Sequence, residues 1–200
     1  MIVNVISQEG KGLTAARLLR ETRRAKGLTQ RALADRAQVT QPALAAIESS
    51  EHDTRGATLE RLIGAAGYGL FALPTRAGSA ADWADEIFQE LRSARRSDAV
   101  AFRAVIALSD DLSTADPDVR VALCVAPPPP SGEPKFDAAI AAVVEHHLEK
   151  DHLPIPKWVH EPERTLSTPW VATPGIDNHE VPPAFERHGV LLAESELASV

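Results

Sequence analysis

Hydrophobic positions recur at helical intervals through most of this chain, and the breaks in that rhythm mark its elements. From Leu13 to Lys26, Ala16, Leu18, Leu19 and Ala25 alternate with Arg17, Arg20, Glu21 and Arg24, which predicts an amphipathic helix closed by Gly27. Thr29 is placed to cap a second helix, Gln30 to Ala37, and Thr40 a third, Gln41 to about Ser49. Pro42 falls in the first turn of that third helix, where its missing N–H is harmless. A tight turn at Gln38-Val39 separates the two. Thr58 is expected to open a fourth helix through Leu59, Leu62, Ile63 and Ala66, ended by Gly67 and Gly69 ahead of Phe71 and Leu73. Pro74 to Ala80 reads as a linker.

Beyond it, Trp83, Ile87, Glu90 and Leu91 predict a helix over Asp82 to Arg96, and a further one runs from Ala99 to Leu108. Asp110-Asp111 and Asp116-Pro117 are expected to break the chain. The run VRVALCV fits a buried strand as well as a helix, and Pro117 in a first turn favours helix over Asp118 to Val125. Residues 127–134, PPPPSGEP, neither pair in a sheet nor continue a helix, so they form a stiff spacer. Phe136, Ile140, Val143, Val144 and Leu148 then repeat at helical intervals to about Lys150. Leu153 to Pro183 holds seven of the fifteen prolines together with Trp158 and Trp170, too apolar for simple disorder and too proline-rich for regular structure. It is expected to lie extended over the helices, or over a partner, with the tryptophans as anchors. The pattern gives a mainly α chain in three parts: a helical bundle over 1–76, a helical domain over 77–152, and a proline-rich, largely irregular segment over 153–200.

Two hundred residues, 44% hydrophobic and 24% charged, exclude wholesale disorder and a collagen-like chain. One cysteine, Cys124, excludes an intrachain disulfide framework. The start MIVNVISQEGKG lacks the basic-then-apolar pattern of an export signal, and no stretch approaches the ~18 apolar residues of a membrane span. A cytoplasmic protein with no membrane partner is the expectation. The net charge of −7 conceals an asymmetry: residues 1–76 carry 11 Lys/Arg against 7 Asp/Glu, and the remainder carries 10 against 21. A basic end suggests nucleic acid, and an acidic remainder suggests another task.

The stretch GLTQRALADRAQVTQPALAAIESSEHDTRGATLERLIGAAG, residues 27–67, resembles the helix-turn-helix domains of the phage-repressor-like (Xre) family. Leu28-Thr29-Gln30 opens the second helix, Leu33-Ala34 supplies its buried contact, Val39-Thr40-Gln41 enters the third, and Leu44, Ile47 and Glu48 follow. Gln38 departs from the pattern, since the family usually has glycine at this turn, and it requires a residue that tolerates a left-handed conformation. The resemblance implies that the third helix enters the major groove while the second meets the backbone. On that reading Thr29 and Gln30 touch phosphate, Thr40 and Ser49 assist, and Gln41 pairs with adenine N6 and N7. Pro42, Ala43, Ala45 and Ala46 offer only apolar contact with thymine methyls. Arg17, Arg20, Arg23, Arg24, Lys26, Arg31 and Arg36 supply positive charge. So few polar readers imply a homodimer on an inverted repeat of double-stranded DNA, joined through the helices between Asp82 and Leu108.

Catalysis finds little support. Six of the seven histidines lie between His146 and His188, but neither HExxH nor CxxC occurs, and adjacent His146 and His147 diverge on a helix, so no metal site is expected. Cys124 sits in an apolar run and reads as a core residue. No phosphate loop, GxSxG or GxGxxG is present, so neither a catalytic residue nor a cofactor is assigned.

Residues 153–172 and 182–200 resemble, on scattered Trp, Pro and Arg-His-Gly positions, the C-terminal half of Xre-type regulators encoded beside nucleotidyltransferase-like proteins. That resemblance implies an antitoxin: Trp158, Trp170, Phe185 and Leu191 would bind a toxin while the N-terminal domain represses the operon. A free-standing repressor responding to a small ligand, held in a pocket of Phe136, Trp158 and Trp170, is the alternative, and an enzyme fused to the DNA-binding domain is a third reading.

Overall fold

The computed structural model describes residues 15–49, 54–70, 75–175 and 180–197, in two compact units that divide between Pro74 and Thr75. Leu13, Phe71, Leu73 and the side chain of Arg17 lie outside the described residues.

Unit 1 holds α1 (Ala15–Ala25), α2 (Gln30–Ala37), α3 (Gln41–Glu48) and α4 (Gly56–Ala65). Gly27 at φ +63° ends α1, and the Leu28 N–H closes back on the Arg23 carbonyl at 3.1 Å. Thr29 Oγ1 accepts from the Ala32 N–H at 3.1 Å and Thr40 Oγ1 from Ala43 at 3.3 Å, so both expected threonine caps are formed. Gln38 takes the left-handed conformation, φ 54° and ψ 44°, that lets α2 stop and α3 start three residues later. A glycine there would avoid a cost of about 1 kcal/mol, which the closed turn offsets. α4 begins at Gly56, ahead of the expected Thr58, with Arg55 at a cap position that has no side-chain bond. Leu18, Leu19, Leu33, Ala34, Leu44, Leu62 and Ile63 form the core, so every helix contributes its periodic apolar face.

Unit 2 is built around α8 (Pro134–Lys150), whose Phe136, Ile140, Val143, Val144 and Leu148 are fully buried along with its alanines. A helix apolar on nearly all sides has to be covered on all sides. α5 (Ala80–Arg92), α6 (Asp98–Thr114) and α7 (Pro117–Val125) cover part of it. The remainder is covered by the proline-rich segment: two 3-10 turns at Lys157–His160 and Pro162–Arg164, then β1 (Trp170–Val171), α9 (Pro183–Arg187) and β2 (Val190–Leu191). The two short strands pair in parallel, Trp170 beside Val190 and Val171 beside Leu191.

Two expectations are corrected here. Asp110-Asp111 does not break the chain: α6 runs through it to Thr114, because Asp111 Oδ2 finds partners off the helix in the Gly78 N–H at 2.7 Å and Trp83 Nε1 at 2.9 Å. α5 starts two residues early and stops at Arg92, short of Arg96, because Ser79 and Asp82 form a reciprocal capping box ahead of Trp83 and Ser93 turns the chain into extended backbone. The run VRVALCV is helix α7, which settles the open choice between helix and strand.

Candidate nucleic-acid interface

The N-termini of α2 and α3 carry the residues that the sequence singles out. Thr29, Arg31, Thr40, Gln41, Pro42 and Ser49 are exposed, Gln30 and Ala45 half-buried. Gln41 Nε2 donates to Gln30 Oε1 at 3.0 Å, and Gln30 Nε2 donates in turn to Glu48 Oε2 at 2.9 Å. One amide hydrogen of Gln41 is therefore engaged, while its carbonyl oxygen and second N–H have no partner among the described residues. That leaves one acceptor beside one donor, the pattern complementary to adenine N6 and N7. Ser49 Oγ donates to the Ala46 carbonyl at 3.0 Å, which leaves its lone pairs, and not its proton, facing outward.

The amide pair rests on an ion pair that the sequence did not reveal. Arg23 Nε and Nη2 donate to the two Glu48 carboxylate oxygens at 2.7 and 2.9 Å, and Nη1 donates to the Leu28 carbonyl at 2.8 Å. Glu48 is 3% exposed. Burial pushes its carboxyl pKa up, but the hydrogen bonds from Arg23 and Gln30 outweigh that and hold it below the ordinary 4.5. The same bond from Glu48 raises Arg23. The network therefore joins α1, α2 and α3, with Gln41 as its solvent-facing end.

This changes the accounting of positive charge. Arg23 is engaged inside the domain, and the Arg20 guanidinium is bonded to the Glu48 backbone carbonyl. Arg24, Lys26, Arg31 and Arg36 remain exposed, with the Lys26 ammonium over the Tyr68 ring at 4.9 Å. A signal for the pair was present: Glu48 lies four residues after Leu44, on the apolar side of α3, where a carboxylate needs a cation.

The residues expected to face a partner are placed differently. Trp158 is 4% exposed and donates through Nε1 to the Cys124 carbonyl at 2.9 Å, and Phe185 is fully buried. Neither is available at the surface, because α8 needs them as cover. Trp170 is half-buried and stands edge-on to Phe102 and Phe136, at 5.9 and 5.6 Å between ring centres, and Leu191 is half-buried in β2. His147, His188 and Cys124 serve the core. Burial pushes the Cys124 thiol up to about 12, far from a nucleophile, and pushes His147 down to about 4, so that its ring stays neutral, with Nε2 and Ser109 Oγ sharing a hydrogen bond at 2.9 Å. His188 lies between the Glu145 carboxylate at 2.8 Å and the Arg164 carbonyl at 2.7 Å. Among the described residues no group of three His, Cys, Asp or Glu is placed to hold a metal ion. No helix among them is long and apolar enough to cross a membrane.

Residues 19–73 match the family model described as helix-turn-helix (HTH_3). The match begins within α1 at Leu19 and runs through α4. The chain thus carries an N-terminal helix-turn-helix domain of the Xre-like type, a DNA-binding regulatory domain and not a catalytic one. No curated protein and no solved structure matches the chain.

Proposed function

We propose that this chain is a transcriptional repressor that reads operator DNA as a homodimer, with α3 in the major groove. The observation that carries this reading is Gln41, exposed at the start of α3 and held by Gln30 through one amide hydrogen, with its carbonyl oxygen and second N–H unengaged among the described residues. Pre-ordering lowers the entropy lost when the amide meets a base edge. Thr29, Gln30, Thr40 and Ser49 surround it as phosphate contacts, with Arg31 beside them, and Pro42 and Ala45 offer thymine methyls an apolar surface.

Binding of the full chain to a labelled duplex is the test. If Arg24, Lys26, Arg31 and Arg36 each displace a counterion, affinity falls about 100-fold between 50 and 200 mM salt. An affinity that does not change with salt contradicts the reading.

A second role, neutralising a nucleotidyltransferase-like toxin, is supported by the acidic surface of unit 2, where Glu161, Glu163, Glu186, Glu194 and Glu196 are all exposed. Such a surface suits a partner with a positive cleft. The ligand-sensing alternative has less support, because Trp158 is buried and Phe136 and Trp170 fill against each other. A downstream reading frame that encodes a nucleotidyltransferase-like protein separates the two.

A further inference from the structure

We infer that the groove between α5 and α6 seats a second copy of this chain, α6 against α6 across a two-fold axis. The groove, about 250 Å³, has Ile87, Ala101 and Ala104 as its floor and Glu86 and Glu90 along its α5 wall. The small Ala101 and Ala104 let another backbone approach closely. Val100 stands on the opposite lip, 39% exposed, one of two large apolar side chains so exposed among the described residues. Arg103, one turn further along α6, is exposed, as is Glu86, and neither has a charged partner among the described residues. Glu90 is fixed by the Ser97 N–H at 3.0 Å, which keeps the wall ordered.

One surface thus carries both halves of a complementary set: a ridge at Val100 and a groove beside it, a cation at Arg103 and an anion at Glu86. A two-fold axis is the arrangement that satisfies such a set, since it brings residue i onto j and j onto i at once. A basic partner would meet Arg103 as a like charge, and an acidic partner would meet Glu86. The inference rests on the DNA-binding reading for its purpose, because a recognition helix with one polar base reader gains specificity by doubling.

Sedimentation equilibrium of the full chain at tens of micromolar tests it. The wild type sediments at twice 21.5 kDa. Arg103→Glu and Glu86→Arg each weaken association at least ~10-fold by placing like charges together, and the two combined restore the dimer. Val100→Lys, which buries a charge in the groove, gives the monomer without relying on the ion pair. Circular dichroism melts confirm that each variant is folded. A monomeric wild type, a dimer indifferent to the single changes, or a double variant no better than the singles overturns the inference. A monomer that still binds duplex DNA with the expected salt dependence leaves the DNA-binding reading standing, and a dimer that binds no DNA does the reverse.

Discussion

A chain ending at residue 152 is expected to lose the cooperative unfolding of unit 2 while keeping that of unit 1. The segment it lacks contributes Trp158, Val159, Phe185, Val190 and Leu192, all buried, to the cover of α8. At about 1.5–3 kcal/mol for each large side chain, that burial is on the order of 10 kcal/mol, comparable with the whole stability of an ordinary domain. The chain entropy of ordering the segment offsets part of this for the intact protein, but it gives the truncated helices no replacement cover. The cut also strands buried polar groups. Glu145, 3% exposed, loses His188 and Arg187, and the Cys124 and Pro128 carbonyls lose the Trp158 and Arg164 donors. Calorimetry of the full and shortened chains reads this directly. A second transition that survives the cut unchanged would make the segment peripheral, and it would then be free to act as a detachable partner-binding tail.

Glu48→Ala is expected to cost unit 1 about 3 kcal/mol. Removing one member of a buried pair leaves the other charge without compensation, which is much more harmful than losing a pair in solvent. Here the Arg23 guanidinium and the Gln30 amide both lose their acceptor. Exchanging both partners, Arg23→Met with Glu48→Leu, should recover most of the loss, which separates stranded charge from lost volume. The pH dependence has a definite sign. A carboxyl held below its unfolded value adds stability that is fully present above about pH 4.5 and is lost as pH falls through the lower folded value. Unit 1 of the wild type therefore weakens below pH 4.5, and Glu48→Gln lacks that part of the loss. A cost under ~1 kcal/mol for Glu48→Ala would class the pair with solvent-exposed bridges.

The helices of unit 1 were legible because each is amphipathic and carries its own punctuation: Gly27, Thr29 and Thr40 act within three residues of themselves. Gln38 was legible as a left-handed turn only through the resemblance, which usually has glycine at that position. The Arg23 and Glu48 pair was not, since it joins residues 25 apart and periodicity reports burial without naming partners. The sequence misled where a long-range bond overrode a local signal. Asp111 reads as a helix end, yet its carboxylate bonds to residues 28 and 33 positions away and α6 continues. Trp158 read as an anchor to the helices or to a partner, and Phe185 as one to a partner, because irregular, proline-rich chain hides which side it faces. Only α8, apolar on nearly all sides and incompletely covered by α5, α6 and α7, signals that the tail folds back.

Whether α3 reads bases through Gln41, as proposed, turns on one comparison. A duplex selected by the wild-type full chain from a random pool and an unselected duplex are each titrated with wild type and with Gln41→Ala at fixed salt. Loss of a bidentate base contact weakens binding to the selected duplex by about 1–3 kcal/mol, roughly 5- to 150-fold, and leaves the unselected duplex nearly unchanged. Equal weakening on both duplexes would reassign Gln41 to the phosphate backbone, and no weakening on either would remove α3 from the major groove.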